Sequence, residues 1–100
     1  MSDKRLVVFS EVARLLSFTK AAQSLKMTQP AVTIQIRHLE DRLKAKLFTR
    51  AHNRVALTDE GRVVLECAHS IFEKYAEMEK RVQEIQLKEA EAAPVEANVT

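Results

Sequence analysis

The sequence predicts a mainly α-helical fold: three short helices, then a two-stranded hairpin, then one long helix. Three observations carry this prediction. The 100 residues include one glycine, Gly61, and two prolines, Pro30 and Pro94, so residues that favour tight chain reversal are scarce. Apolar residues recur at helical spacing through most of the chain, and only residues 47–58 break into short β-capable runs. Finally, an apolar heptad stripe runs from Val64 to Ile85, and no helix breaker appears from Arg62 until Pro94.

The elements follow in order. Over residues 5–16, Leu6, Phe9, Ala13 and Leu16 share one helical face, with Val12 at its flank. Ser17 is suited to cap a second helix running from Phe18 to about Leu25. Its Ala21, Ala22 and Leu25 leave room for another helix to come close. Lys26 and Met27 form the turn. Thr28 caps the third helix, and Pro30 falls in its first turn, where a missing N–H costs nothing. Val32, Ile36, Leu39 and Leu43 draw its apolar stripe. Pro30, Ile34, Arg37 and Asp41 lie opposite, and Ala31, Thr33 and His38 lie on the flanks. The runs Leu47–Arg50 and Arg54–Leu57, on either side of Ala51-His52-Asn53, read as a hairpin; without an Asn-Gly pair its turn type stays open. This order of elements is that of a winged helix-turn-helix.

Thr58-Asp59-Glu60 then starts the long helix, with acids where the helix dipole favours them. Val64, Ala68, Ile71, Tyr75, Met78, Val82 and Ile85 step by four and three along one seam. A helix of about 30 residues reaches ~45 Å, longer than so small a head can cover, so the seam calls for a second copy of the chain. The expected organisation is a head over 1–58, a dimerisation helix over 59–89 and a disordered tail over 90–100.

Charge is unevenly divided. Residues 1–58 hold eleven Lys and Arg against four acids, a balance of +7, whereas residues 59–100 hold five against ten, a balance of −5. A basic head joined to an acidic assembly element suits a polyanion partner. No apolar run is long enough to span a membrane, and the first residues do not read as a signal peptide, so a cytoplasmic location is expected. Cys67 has no second cysteine to pair with and reads as an inert, partly buried thiol. His38, His52 and His69 share no metal-ligand spacing, and no cofactor is expected. A Gly-rich phosphate loop, a nucleophile elbow and a metal cluster are all missing, which argues against an enzyme.

Several stretches resemble the DNA-binding domain of LysR-type transcriptional regulators. They are Ser17-Phe18-Thr19-x-Ala21-Ala22, Thr28-Gln29-Pro30-Ala31-Val32-Thr33-x-Gln35-Ile36-Arg37-x-Leu39-Glu40, Leu47-Phe48-x-Arg50 and Leu57-Thr58-x-x-Gly61. The resemblance covers roughly residues 4 to 88. It implies a dimer that binds double-stranded DNA at interrupted inverted repeats in promoters. It also implies a small-molecule sensor domain, which this sequence does not include: either the chain is a fragment or it is a natural short form. An inducer enters only if such a domain exists. Ile34 departs from the family, many of whose members carry a polar or basic residue there.

Within that frame, Gln29 and Thr33 have side chains suited to base edges in the major groove. Pro30, Ala31 and Ile34 can pack on thymine methyls. Lys20 and Arg37 suit phosphates, and Arg54 suits a narrow A·T-rich minor groove. Arg50 belongs either to the same wing contact or to the internal structure. Ser17, Thr19 and Thr28 can donate to phosphate oxygens near helix N-termini. Glu40 is expected to pair with Lys44, one turn on. The competing reading is an interaction protein in which the helix from Asp59 to about Glu89 is the functional element and the head only stabilises it.

Overall fold

The computed structural model describes residues 3–92. The element order is α1 (Asp3–Leu15), α2 (Phe18–Leu25), α3 (Gln29–Leu43), β1 (Phe48–Ala51), β2 (Arg54–Leu57) and α4 (Asp59–Ala92). Among the described residues, those up to His69 make one compact unit and those from Ser70 a second.

In the first unit α1, α2 and α3 pack on one another. The core is built from Leu6, Val8, Phe9, Val12 and Ala13 of α1, Phe18, Ala21 and Ala22 of α2, and Val32, Ile36 and Leu39 of α3. Leu47 and Phe48 bring the start of the hairpin into the same core. Phe48 does most to tie it there, with its ring centroid 5.2 Å from that of Phe9 and 5.8 Å from that of Phe18, edge-on to the latter.

Two expected core positions are corrected. Leu16 lies beyond α1 with φ at 49° and is 47% exposed, because the chain turns left-handed there and swings the side chain off the buried face. Val8 takes up core volume instead. Leu43 ends α3 at 45% exposure, since the turn at Lys44 leaves no element packed over it.

The turns are made without glycine. Lys26 (φ 55°) and Lys44 (φ 53°) close α2 and α3 in the left-handed region. The Lys26 N–H donates to the Ala22 and Gln23 carbonyls, and the Lys44 N–H to that of Glu40. His52 and Asn53 both have positive φ and form a two-residue loop between Ala51 and Arg54, which pair across the antiparallel ladder. Two consecutive residues at positive φ define a type I′ turn, the question the sequence left open.

Thr58 fastens α4 to the hairpin. Its N–H donates to the Leu47 carbonyl at 3.0 Å and its hydroxyl to the Lys46 carbonyl at 2.6 Å, while its Oγ1 accepts from the Gly61 N–H at 2.9 Å. Glu40 does not pair with Lys44: its Oε2 accepts the Leu47 N–H at 2.9 Å, and Lys46 is its cation at 3.9 Å. A half-buried backbone donor at the start of the hairpin outweighs an exposed ion pair on the helix surface.

α4 continues to Ala92, past the end expected near Glu89. The tail expected over 90–100 is therefore helical over its first residues, and the remainder lies outside the described residues. Within the first unit, Ala68 is completely buried and is corrected from interface to core, with no surface left for a second chain to cover. Val64 is half-buried. In the second unit Ile71 is half-buried, whereas Tyr75, Met78, Val82 and Ile85 are 40%, 54%, 48% and 57% exposed. Cys67 is exposed rather than partly buried, because it points away from the side of the helix that buries Ala68. No described helix is long and apolar enough to cross a membrane.

Candidate nucleic-acid interface

The helix-turn-helix is set by its caps. The Ser17 hydroxyl oxygen accepts the Lys20 N–H at 3.0 Å and starts α2. The Thr28 hydroxyl oxygen accepts the Ala31 N–H at 3.2 Å and starts α3, with Pro30 in the first turn. Val32, Ile36 and Leu39 are buried, which fixes the rotation of α3 about its axis and turns Gln29, Pro30, Ile34 and Arg37 to the solvent. Ile34 is 49% exposed, an apolar side chain between Pro30 and the charged Arg37 on this face. Ala31 and Thr33 are half-buried at the margins.

The start of α2, the start of α3 and the hairpin enclose an open groove of about 720 Å³. Six of the residues proposed from sequence line it: Ser17, Thr19, Lys20, Gln29, Arg50 and Arg54. His52 and Asn53 line it too. A second hollow, of about 320 Å³, shares Phe18 and Arg50 and adds Thr33, Arg37, Glu40 and Lys46. Pro30, Ala31, Ile34 and Thr28 line neither depression.

Two contacts refine individual roles. The Arg50 guanidinium stacks over the Phe18 ring, 3.8 Å from its centroid, so this side chain ties the hairpin to α2 as well as adding charge to both depressions. The Thr19 hydroxyl donates to Gln29 Oε1 at 3.3 Å, joining α2 to α3 across the turn.

Sequence reasoning did not single out Lys46, His52 or Asn53. Lys46 had a readable signal, a base just before a β-capable run, but its position beside Arg37 depends on how the hairpin folds back on α3. The loop residues became legible only once the type I′ turn fixed which two residues form the tip.

Behind this face, Glu11 of α1 accepts from Arg14 at 2.7 and 2.9 Å and from the Ser24 hydroxyl of α2. The hydrogen bonds from Arg14 and then Ser24 hold its carboxyl down at about 2, against an ordinary 4.5. Among the described residues, no group of His, Cys, Asp and Glu is placed to hold a metal ion.

A trihelical core, a hairpin wing and a basic groove beside a solvent-facing third helix define a winged helix-turn-helix domain. Residues 4–62 match the family described as bacterial regulatory helix-turn-helix protein, lysR family, and the chain belongs to that family. It is 40% identical over 85 residues to a RuBisCO operon transcriptional regulator of Allochromatium vinosum, covering 85% of this chain and 28% of that protein. It is 44% identical over 78 residues to the glycine cleavage system transcriptional activator of Escherichia coli K12, covering 78% of this chain and 26% of the relative. The chain thus spans little more than a quarter of the length of these relatives. Among solved structures, it is similar to a CbnR DNA-binding domain–DNA complex (TM-score 0.80, 31% identity, 86% of this chain and 99% of that one). It is equally similar to a BenM DNA-binding domain on benA site 1 DNA (TM-score 0.81, 31% identity, 86% and 97%).

Proposed function

We propose that the chain is a sequence-selective DNA-binding module that acts as a homodimer on inverted repeats in promoters. The observation that supports this most strongly is the basic groove, where Gln29 at the start of α3 stands together with Lys20, Arg50 and Arg54. The similar CbnR and BenM domains were solved on DNA, and the curated relatives are transcriptional regulators, so a binding module is favoured over an enzyme. A DNA partner puts the protein at the nucleoid, in the cytoplasm.

In this reading the first turns of α3 enter the major groove. Gln29 and Thr33 meet base edges, and Pro30, Ala31 and Ile34 supply apolar contact to thymine methyls. Lys20 and Arg37 neutralise phosphates, and Ser17 and Thr28, whose hydroxyl oxygens accept backbone N–H groups, keep their own protons to donate to phosphate oxygens. Arg54, at the base of the hairpin tip, reaches the flanking minor groove. Arg50 adds charge from its seat on Phe18.

The exposed seam of Tyr75, Met78, Val82 and Ile85 supports the dimer, and it also keeps alive the second reading, an interaction protein that captures other chains through α4. A gel shift with promoter DNA separates the two. The regulator gives a sequence-selective shift that weakens steeply with salt, as phosphate-bound counterions are displaced. Absence of any shift at low salt favours the interaction protein.

A further inference from the structure

We propose that Thr19 is a positioning residue for base reading: it holds the Gln29 amide by its carbonyl end, so that the NH2 end faces the DNA and reads a purine N7. This rests on the reading above, in which the start of α3 enters the major groove.

Three hydroxyls stand near the helix ends of this face, and they are not equivalent. Those of Ser17 and Thr28 act as acceptors for backbone N–H groups and retain their protons. That of Thr19 donates to Gln29 Oε1. A hydroxyl has one proton, so Thr19 cannot give it to a phosphate while it holds Gln29. The two residues also line the same groove, on different helices and ten positions apart in sequence.

The consequence lies in the amide. Its carbonyl and NH2 ends diverge, so engaging Oε1 with Thr19 leaves the two N–H donors for the DNA. In the major groove N7 is the acceptor that both purines share, whereas O6 is offered by guanine alone. A glutamine loose in solvent must give up rotamer freedom when it binds, and one held beforehand gives up less. At 3.3 Å the bond is long for an O–H···O pair, so it biases the amide rather than locking it, and its effect on discrimination is moderate.

The test uses a selected operator and duplexes in which one purine at a time is replaced by its 7-deaza analogue, which lacks the N7 acceptor but still pairs. With the unaltered chain, one 7-deaza position costs about tenfold in affinity. Gln29→Ala abolishes that sensitivity, Thr19→Val reduces it to about threefold, and Thr19→Ser restores it. The double variant Thr19→Val/Gln29→Ala matches Gln29→Ala alone, because Thr19 acts only through Gln29. A melting curve for each variant establishes that it is folded. If Thr19→Val weakens every duplex by one common factor and keeps the full 7-deaza sensitivity, Thr19 is a phosphate contact and the positioning role is overturned. If Gln29→Ala itself keeps the full sensitivity, base reading by Gln29 fails, and the role of Thr19 fails with it.

Discussion

Gly61 lies directly against the Leu47 carbonyl oxygen: a Cβ at position 61 would overlap that oxygen and stand 2.8 Å from Leu57 Cδ2. The glycine is there for close approach rather than for backbone freedom, since it is helical and its φ is not positive. It lets the first turn of α4 rest on the end of β2 and on Leu47, the residue that leads into β1.

Gly61→Ala therefore forces the hairpin off α4. An Ala normally stabilises a helix relative to Gly by about 1 kcal/mol, but overlap with a backbone oxygen reverses the sign. The expected outcome is a net loss of about 1–3 kcal/mol in denaturant unfolding, together with weaker DNA binding as the wing shifts. A variant as stable as the parent would show that the hairpin adjusts at no cost.

The Glu11 carboxylate supports α1 and α2 together, and its stabilisation has a defined pH window. Its folded value of about 2 lies below the ordinary 4.5, so its contribution is complete above about 4.5 and is lost as pH falls from there through about 2. Arg14 is 62% exposed while Glu11 is 16% exposed, so solvent screening limits the contribution to ~1 kcal/mol. Glu11→Gln should be less stable by that amount at pH 7, and the difference should disappear towards pH 2. Equal loss at both pH values would assign the effect to packing instead of charge.

Arg50 is expected to show a split between charge and shape. Arg50→Lys keeps the cation but loses the flat guanidinium stacked on Phe18, so about 0.5–1 kcal/mol of stability should go while the salt dependence of DNA binding stays unchanged. Arg50→Ala should lose the stability and also flatten the salt dependence. If Lys is as stable as Arg, the stacking contributes nothing measurable.

These relationships differ in how far the sequence revealed them. The caps at Ser17 and Thr28 were legible because a hydroxyl before an apolar-periodic run has one preferred use. Leu16 and Leu43 misled because helical periodicity says nothing about where the chain turns left-handed, and each sits at such an exit. Ala68 misled differently. A heptad pattern identifies an apolar seam but not what covers it, and here the head buries the early part of the seam. Glu40 answers a donor seven residues away at Leu47, and Thr19 meets Gln29 across the helix-turn-helix turn. Neither follows from spacing along one helix.

With Ala68 buried, the later part of the seam becomes the place to test dimerisation. Met78→Asp combined with Ile85→Asp puts unpaired charge into the proposed interface, at a cost of several kcal/mol. Sedimentation should report monomers at micromolar concentration, with the circular dichroism of the head retained. A double variant that stays dimeric would remove this seam from the interface.

If the start of α3 reads bases while its flank grips the backbone, Gln29→Ala and Arg37→Ala must behave differently on matched operator and random duplexes over a salt series. Gln29→Ala should lose ~1–3 kcal/mol on the operator and far less on random DNA, so that selectivity collapses. Arg37→Ala should weaken both duplexes alike and reduce the salt slope by about one unit. The opposite pattern, with Gln29→Ala weakening both duplexes equally and Arg37→Ala abolishing selectivity, would contradict the account and turn the Arg37 and His38 side of α3 towards the bases.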